Sequence, residues 1–385
     1  MSDAQPSLAD SHLLSMAGDM PGAATARLLA GNARMGTTRK AYDSHFAAFA
    51  EYCEAAGVSA LPASKWTVFN YVGYLAEGGR WAADSLQPIF SAINAAHKDY
   101  ELEPPASDNY FLSQARTGLR RAQVDAGHTR DTRIPLPCEV VMDMITVGER
   151  AMSELALALD GKTNGDTLYL LKQVRATFGL SLTALFAGRQ DSGVHLRSLD
   201  FGVDAQHVWL RLSEKGKKGK VLRRVLKLSL SGTTSAVRRI ARLGEQYIAA
   251  RASLLRAGQA LPEYLLQLPG EARPTTRSME GWLAWALEHL GVEAPSGFAY
   301  LGHSIRSMGA SAMAALGVPR HAYIFIGGWA RGSTVVDKHY IDPTFTPSPA
   351  ARELYGWLLA HAYTADATGT WETGTVLPDP WLEAG

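Results

Sequence analysis

His303 and Arg306 stand three residues apart in the text HSIRSMGASAMAALGVPRHAYIFIGGWARGSTVVDKHYID. That spacing sets both on one helix face. Trp329 follows two glycines, and Tyr340 sits on a short element beyond it. Arg189 and Lys215 stand upstream. Together these six side chains suit attack on a phosphodiester. Its two non-bridging oxygens gain negative charge, and Arg189 and Arg306 each offer a planar fork of N–H donors to them. Such preorganised donors are worth about 2.7–4 kcal/mol apiece. Trp329 adds one indole N–H and an apolar body. Tyr340 would be the nucleophile. A tyrosine hydroxyl ordinarily ionises near about 10, so a base is wanted, and His303 fits. Lys215 would protonate the leaving oxygen.

Each residue taken singly has a plainer reading. HxxR is a short motif that arises by chance. A tyrosine among apolar positions is ordinarily a half-buried core residue. Arg189 at a helix end is ordinarily a dipole partner, and a basic turn is ordinarily solvated. Their order along one chain is what turns the set toward chemistry.

The 385 residues suggest about two domains, and the 46% hydrophobic content is ample for a core. The formal net charge is only +1, so basicity must be sought locally. Arginine outnumbers lysine. The basic stretches are Arg39–Lys40, Arg116–Arg121 and Lys215–Lys220. They nominate Arg39, Lys40, Arg116, Arg120, Arg121, Lys217, Lys218 and Lys220 as DNA contacts. The two cysteines, Cys53 and Cys138, are too few for a disulfide framework. No C-x-x-C or H-E-x-x-H is present, so no metal site and no cofactor are expected. No apolar run approaches a membrane span, and the acidic start lacks the features of a signal peptide.

The elements that must position these groups are mainly helical. Residues 1–33, rich in Ala, Gly, Ser and Asp, read as a mobile arm. A helix capped by Thr37 or Thr38 carries Tyr42, Phe46, Phe49 and Cys53 on one face and closes at Gly57. A second begins near Ser64 with Trp66, Phe69, Val72 and Leu75 together. A third begins near Asp84 with Leu86, Ile89, Ile93 and His97. A fourth spans 107–125. These make a compact helical domain over 34–127. Residues 128–137 read as a linker, and a larger domain follows over 138–365. It has helices over 138–158 and 167–186, then a β region from Val194 to Leu230 with two strands around the turn EKGKKGK. Helices return over 233–256, 275–290, 303–316, 319–326, 333–340 and 348–363. Residues 366–385 read as a tail.

The block GHSIR…GA…A…GV…GGW…Y resembles the catalytic end of the tyrosine recombinases, the phage integrase family, and is most similar to Cre-like members. The text AGRQDSGVHLRSLDF resembles the family's first-arginine motif, with Leu196, Arg197 and Asp200 in register. Lys215–Gly216 resembles its hairpin lysine. TTRKAYDSHFAAFAEYC and LQPIFSAINAAHKDY resemble its core-binding domain. The likeness covers about residues 35–345. The position three after the first arginine, acidic in many members, is Ser192 here, with Asp191 adjacent as a substitute. The usual Gly-Leu-Arg is Ala-Gly-Arg.

The resemblance implies a SAM-like helical core-binding domain joined to an α-rich catalytic domain with a small β-hairpin. It implies a site-specific recombinase acting through a 3′-phosphotyrosyl link at Tyr340, without metal or ATP, by way of a Holliday junction. Arg189, Lys215, His303, Arg306, Trp329 and Tyr340 would be its catalytic set. The partners implied are a double-stranded DNA site and three further copies of the chain, with no membrane. The helix PSPAARELYGWLLAHAY would tether each copy into its neighbour through Leu354, Trp357, Leu358 and Tyr363, the competing reading being that it packs at home. The location implied is cytoplasm or nucleoid in a bacterium or phage, the nucleus in a eukaryote. A type IB topoisomerase, a relative with decayed catalysis and a helical scaffold with coincidental motifs are the competing functions.

Overall fold

The computed structural model describes residues 36–79, 83–107, 110–126, 132–162, 166–205, 207–215, 221–230, 234–255, 259–329 and 332–359. The chain divides into two compact units, Met1–Arg130 and Asp131–Gly385. The arm over 1–33 and the tail over 366–385 lie outside the described residues, as does Tyr363.

The first unit is built from α1 (Gly36–Ala55), α2 (Lys65–Glu77), α3 (Leu86–Asp99) and α4 (Tyr110–Asp125). α1 packs on α3 and α2 on α4. Phe46, Phe49, Cys53, Val72, Leu75, Leu86, Ile89 and Ile93 form the core, as the spacing of three and four predicts. Two expectations fail. Thr37 and Thr38 lie inside α1, which is already helical at Gly36, so neither caps it. On α2, Trp66 is 49% exposed, and the buried face is Val68, Tyr71, Val72 and Leu75. Trp66 instead packs at a tilt against Phe111 of α4, with ring centroids 5.1 Å apart. The Ser64 hydroxyl accepts from the Thr67 amide at 3.0 Å and fixes where α2 starts. His97 is fully buried. Its Nε2 accepts from the Ala63 amide at 2.9 Å, so Nδ1 carries the hydrogen and donates to the Ile93 carbonyl at 2.8 Å.

The second unit opens with β1 (Thr132–Arg133), which runs parallel to β5 (Phe298–Ala299). The sequence reads this stretch as linker, because a two-residue strand has no alternation to detect. α5 (Cys138–Leu159) and α6 (Thr167–Leu185) pair closely, and α6 is buried at every position from Val174 to Leu185. It is the axis of the unit. The Asp166 carboxylate caps it by accepting from the Tyr169 amide. Gly148 of α5 lets the two helices approach, since a Cβ there would strike the Thr177 hydroxyl and lie 2.8 Å from Leu243.

After α6 comes α7 (Gln190–Val194), then an antiparallel sheet in the order β2 (Phe201–Val203), β3 (His207–Lys215), β4 (Val221–Ser229). The two expected strands are β3 and β4, and β2 is a third that the sequence reading missed. α8 (Ser235–Ser253) covers α5 and α6, and α9 (Thr276–Leu290) lies on α6. Then follow α10 (Gly302–Ala315), α11 (Arg320–Gly327), α12 (Val335–His339) and α13 (Pro349–Tyr355).

The final helix does not stand out as a tether within the described residues. Leu354, Tyr355, Trp357 and Leu358 are buried in the core of their own unit. The Tyr355 hydroxyl donates to the Ala184 carbonyl at 2.5 Å, and complete burial holds its pKa well above the usual value. Three of the four residues that suggested a neighbour's groove, Leu354, Trp357 and Leu358, are thus buried at home.

Cys53 and Cys138 are free and buried, and burial pushes the Cys138 thiol up to about 12. Among the described residues, no helix is long and apolar enough to cross a membrane, and no group of three or more His, Cys, Asp or Glu could hold a metal ion.

Candidate active site

α6 ends at a turn that builds one side of the site. Ala187 takes a left-handed φ of 45°, unusual for a residue with a side chain. The Gly188 amide reaches back to the Thr183 carbonyl and the Ala187 amide to that of Ala184, which closes the helix as a Schellman turn. The Ala187 carbonyl is then free to point at α10. It accepts from Nη1 of Arg306 at 2.8 Å. Arg306 is only 1% exposed, so this bond fixes a buried guanidinium. Arg189, two residues further on, is exposed and sits at the N-terminal cap of α7. One turn of chain thus seats one arginine and presents the other.

The other side is built by α11 and α12. Gly328, with φ of 68°, ends α11 in the left-handed conformation. The Trp329 amide donates to the Ile324 carbonyl at 3.0 Å, a second Schellman turn. The indole folds back over Gly327, where a Cβ would collide with its ring. The motif GGW is therefore one glycine for the turn and one for the ring. Trp329 is 7% exposed, and its Nε1–H is buried with no hydrogen-bond partner among the described residues. A buried donor left open is costly, about 1–3 kcal/mol, which points to an acceptor arriving from outside.

Tyr340 follows α12 directly. Its carbonyl accepts from the Ser311 hydroxyl at 3.1 Å, and the same Ser311 oxygen accepts from the Asp342 amide at 2.8 Å. Ser311, on α10, so pins the backbone on both sides of Tyr340. Arg320 of α11 grips Asp337 of α12 through Nη2 at 2.6 Å and Nε at 3.2 Å, and that guanidinium holds the Asp337 carboxyl below its usual range.

Four of the expected catalytic side chains meet here. The Arg306 guanidinium lies 3.8 Å from the Trp329 ring centroid and 5.2 Å from that of Tyr340. Trp329 meets Tyr340 edge-on at 5.5 Å. His303 stacks on Tyr340 at 6.1 Å with an angle of 17°. His303 keeps an edge open to solvent, and its pKa is lowered, first by partial burial and then by the cations Arg133, Arg306 and Arg189, against an opposing pull from Glu280. At neutral pH it is an uncharged imidazole able to accept a proton.

Lys215 ends β3, where it pairs with Val221 across the hairpin, and its side chain is not described. Lys217, Lys218 and Lys220 lie outside the described residues. In the first unit, Lys40, Arg120 and Arg121 are exposed, Arg39 is half-buried, and Arg116 donates to Gln87 at 2.9 Å. Asp191, the residue offered in place of the usual acid, is exposed. Its carboxylate lies 3.2 Å from Nδ1 of His195, and Ser192 is buried. Leu196 is a core residue, and Asp200 accepts from the Arg197 amide at 2.9 Å, so both shape the turn into β2. Sequence reasoning missed Arg133, Ala187 and Ser311. Only Ser311 left a signal, as a hydroxyl inside the apolar run GASAMAA.

No protein-family model and no curated relative matches the chain. Solved structures do. A lambda integrase fragment, residues 75–356, crystallised as a dimer bound to a COC′ core site, is 12% identical over 84% of this chain and 94% of that one, with a TM-score of 0.50. The XerH site-specific recombinase in a post-cleavage complex with palindromic difH substrate is 14% identical over 94% of this chain and 85% of that one, with a TM-score of 0.47. The mainly helical architecture with its small antiparallel sheet is the tyrosine recombinase fold.

Proposed function

We propose that this chain is a site-specific DNA recombinase of the tyrosine recombinase family, with Tyr340 as its nucleophile. The observation that supports this most is the convergence of Arg306, His303 and the open Trp329 N–H on the Tyr340 ring. A phosphodiester seated there would take donors from Arg306, Trp329 and Arg189. Tyr340 Oη would attack phosphorus, with His303 taking the phenolic proton. The bond from phosphorus to the 5′-oxygen would break, and Lys215 would protonate that oxygen. The product is a 3′-phosphotyrosyl link and a free 5′-hydroxyl. The reverse attack by a 5′-hydroxyl restores both the DNA and Tyr340. One phosphoester is exchanged for another, so no ATP is consumed. Four copies on two sites, exchanging strands in pairs through a Holliday junction, would complete recombination. The α1–α4 unit, with Arg39, Lys40, Arg116, Arg120 and Arg121, would hold the core sites.

The test is a covalent adduct. The protein and Tyr340→Phe are each incubated with nicked duplexes of randomised sequence and resolved in SDS. An SDS-resistant band with the wild type alone is expected. A band of equal strength from the variant refutes Tyr340. A second reading, a DNA-binding relative with decayed catalysis, draws on the engagement of Asp191 by His195. Tight binding with no band from either protein would favour it.

A further inference from the structure

Arg133 enters neither the sequence motifs nor the chemistry just described, yet the fold places it at the site. Its backbone is locked by the parallel pairing of β1 with β5, in which Arg133 lies opposite Ala299. β5 leads within three residues into α10, the helix of His303 and Arg306. Three residues beyond Arg133, the Leu136 amide donates to the Ser304 carbonyl at 3.2 Å, so the strand is tied to α10 a second time. Leu136 is fully buried and Ile134 half-buried, which leaves Arg133 on the open side of an extended chain. Arg133 is exposed and has no carboxylate partner among the described residues. Its charge is also the foremost of the three cations that depress His303.

A single phosphodiester has two non-bridging oxygens, and Arg189, Arg306 and Trp329 already supply them. A third guanidinium, exposed beside the same histidine, is surplus to that group. We infer that Arg133 binds the backbone phosphate adjacent to the one Tyr340 attacks, and so sets the register of the strand over His303. This rests on the reading of the site as a DNA-cleaving one.

The experiment separates the two ideas. Binding is measured in the Tyr340→Phe background, where no cleavage intervenes, over a series of salt concentrations. Arg133→Gln should flatten the dependence of log K on log salt by about 0.9, the share of one phosphate contact, and Arg133→Lys should restore it. An unchanged slope overturns the inference, whether or not Tyr340 forms an adduct. Position is tested on a duplex recovered from trapped adducts. A neutral methylphosphonate next to the attacked phosphate should abolish the difference between Arg133 and Arg133→Gln. A difference that survives places the contact elsewhere and overturns the inference as well. In the free protein, Arg133→Gln should raise the His303 titration midpoint toward 6.5, and a midpoint that does not move removes Arg133 from the site.

Discussion

Trp329 is held by two separate devices, and they can be tested apart. Trp329→Phe keeps a ring under Arg306 and removes only the N–H. Single-turnover adduct formation should fall by about a hundredfold or more, with DNA affinity unchanged, because the lost donor acts on developing charge. A rate within threefold of wild type would make the indole a packing residue. Ser311→Ala strips the shared hydroxyl from both sides of Tyr340 and leaves the Asp342 amide without its partner. It should cost about 1–3 kcal/mol of stability and slow adduct formation while the other donors stay in place. Thermal melts beside adduct kinetics read both. His303, Arg306, Trp329 and Tyr340 were legible in the sequence because their types and order are chemical. Ala187 and Arg133 were not, since one contributes a carbonyl and the other a strand pairing, and neither has a residue-type signature. The left-handed φ of Ala187 also gives a physical reason for the glycine usual at that place, since glycine alone adopts it at no steric cost.

At the scale of elements, the helices were readable because apolar residues recur every three or four positions. Trp66 was misplaced for a related reason. The spacing sets Trp66 together with Phe69, Val72 and Leu75, whereas α2 buries the face of Val68, Tyr71, Val72 and Leu75 and leaves Trp66 against Phe111. The short strands escaped because β1, β2 and β5 have only two or three residues each. What the sequence did not reveal is how closely α8 lies on the axis. A Cβ at Gly244 would meet Phe201 at 2.5 Å and Phe178 at 2.7 Å, both within the core. Gly244→Ala should therefore destabilise the protein by about 1–3 kcal/mol through overpacking. A melt unchanged from wild type would show that the contact relaxes freely.

For the molecule as a whole, acid should act through one histidine in each unit. His97 is neutral in the α1–α4 unit, its pKa lowered mainly by burial. The unfolded chain binds its proton near 6.5, above the folded value, so stability is intact above 6.5 and is lost as pH falls from there through the lowered folded pKa. Hydrogen exchange at α3 amides should speed up across that window and do so less in His97→Gln. His303 has the same sign, but DNA phosphate would offset the cations that depress it. Bound DNA should then move its midpoint upward, visible by NMR.

The seating of Tyr340 has one more consequence. Ser311 of the same chain holds its backbone, and Arg306, Trp329 and His303 of the same chain surround its ring. On the proposed mechanism each copy would then supply its own attacking group rather than borrow one from a neighbour. Mixing Tyr340→Phe with Arg306→Ala should give no complementation, and cleavage per bound protomer should not depend on which neighbour is present. Restored cleavage in the mixture would mean that the nucleophile is shared between subunits.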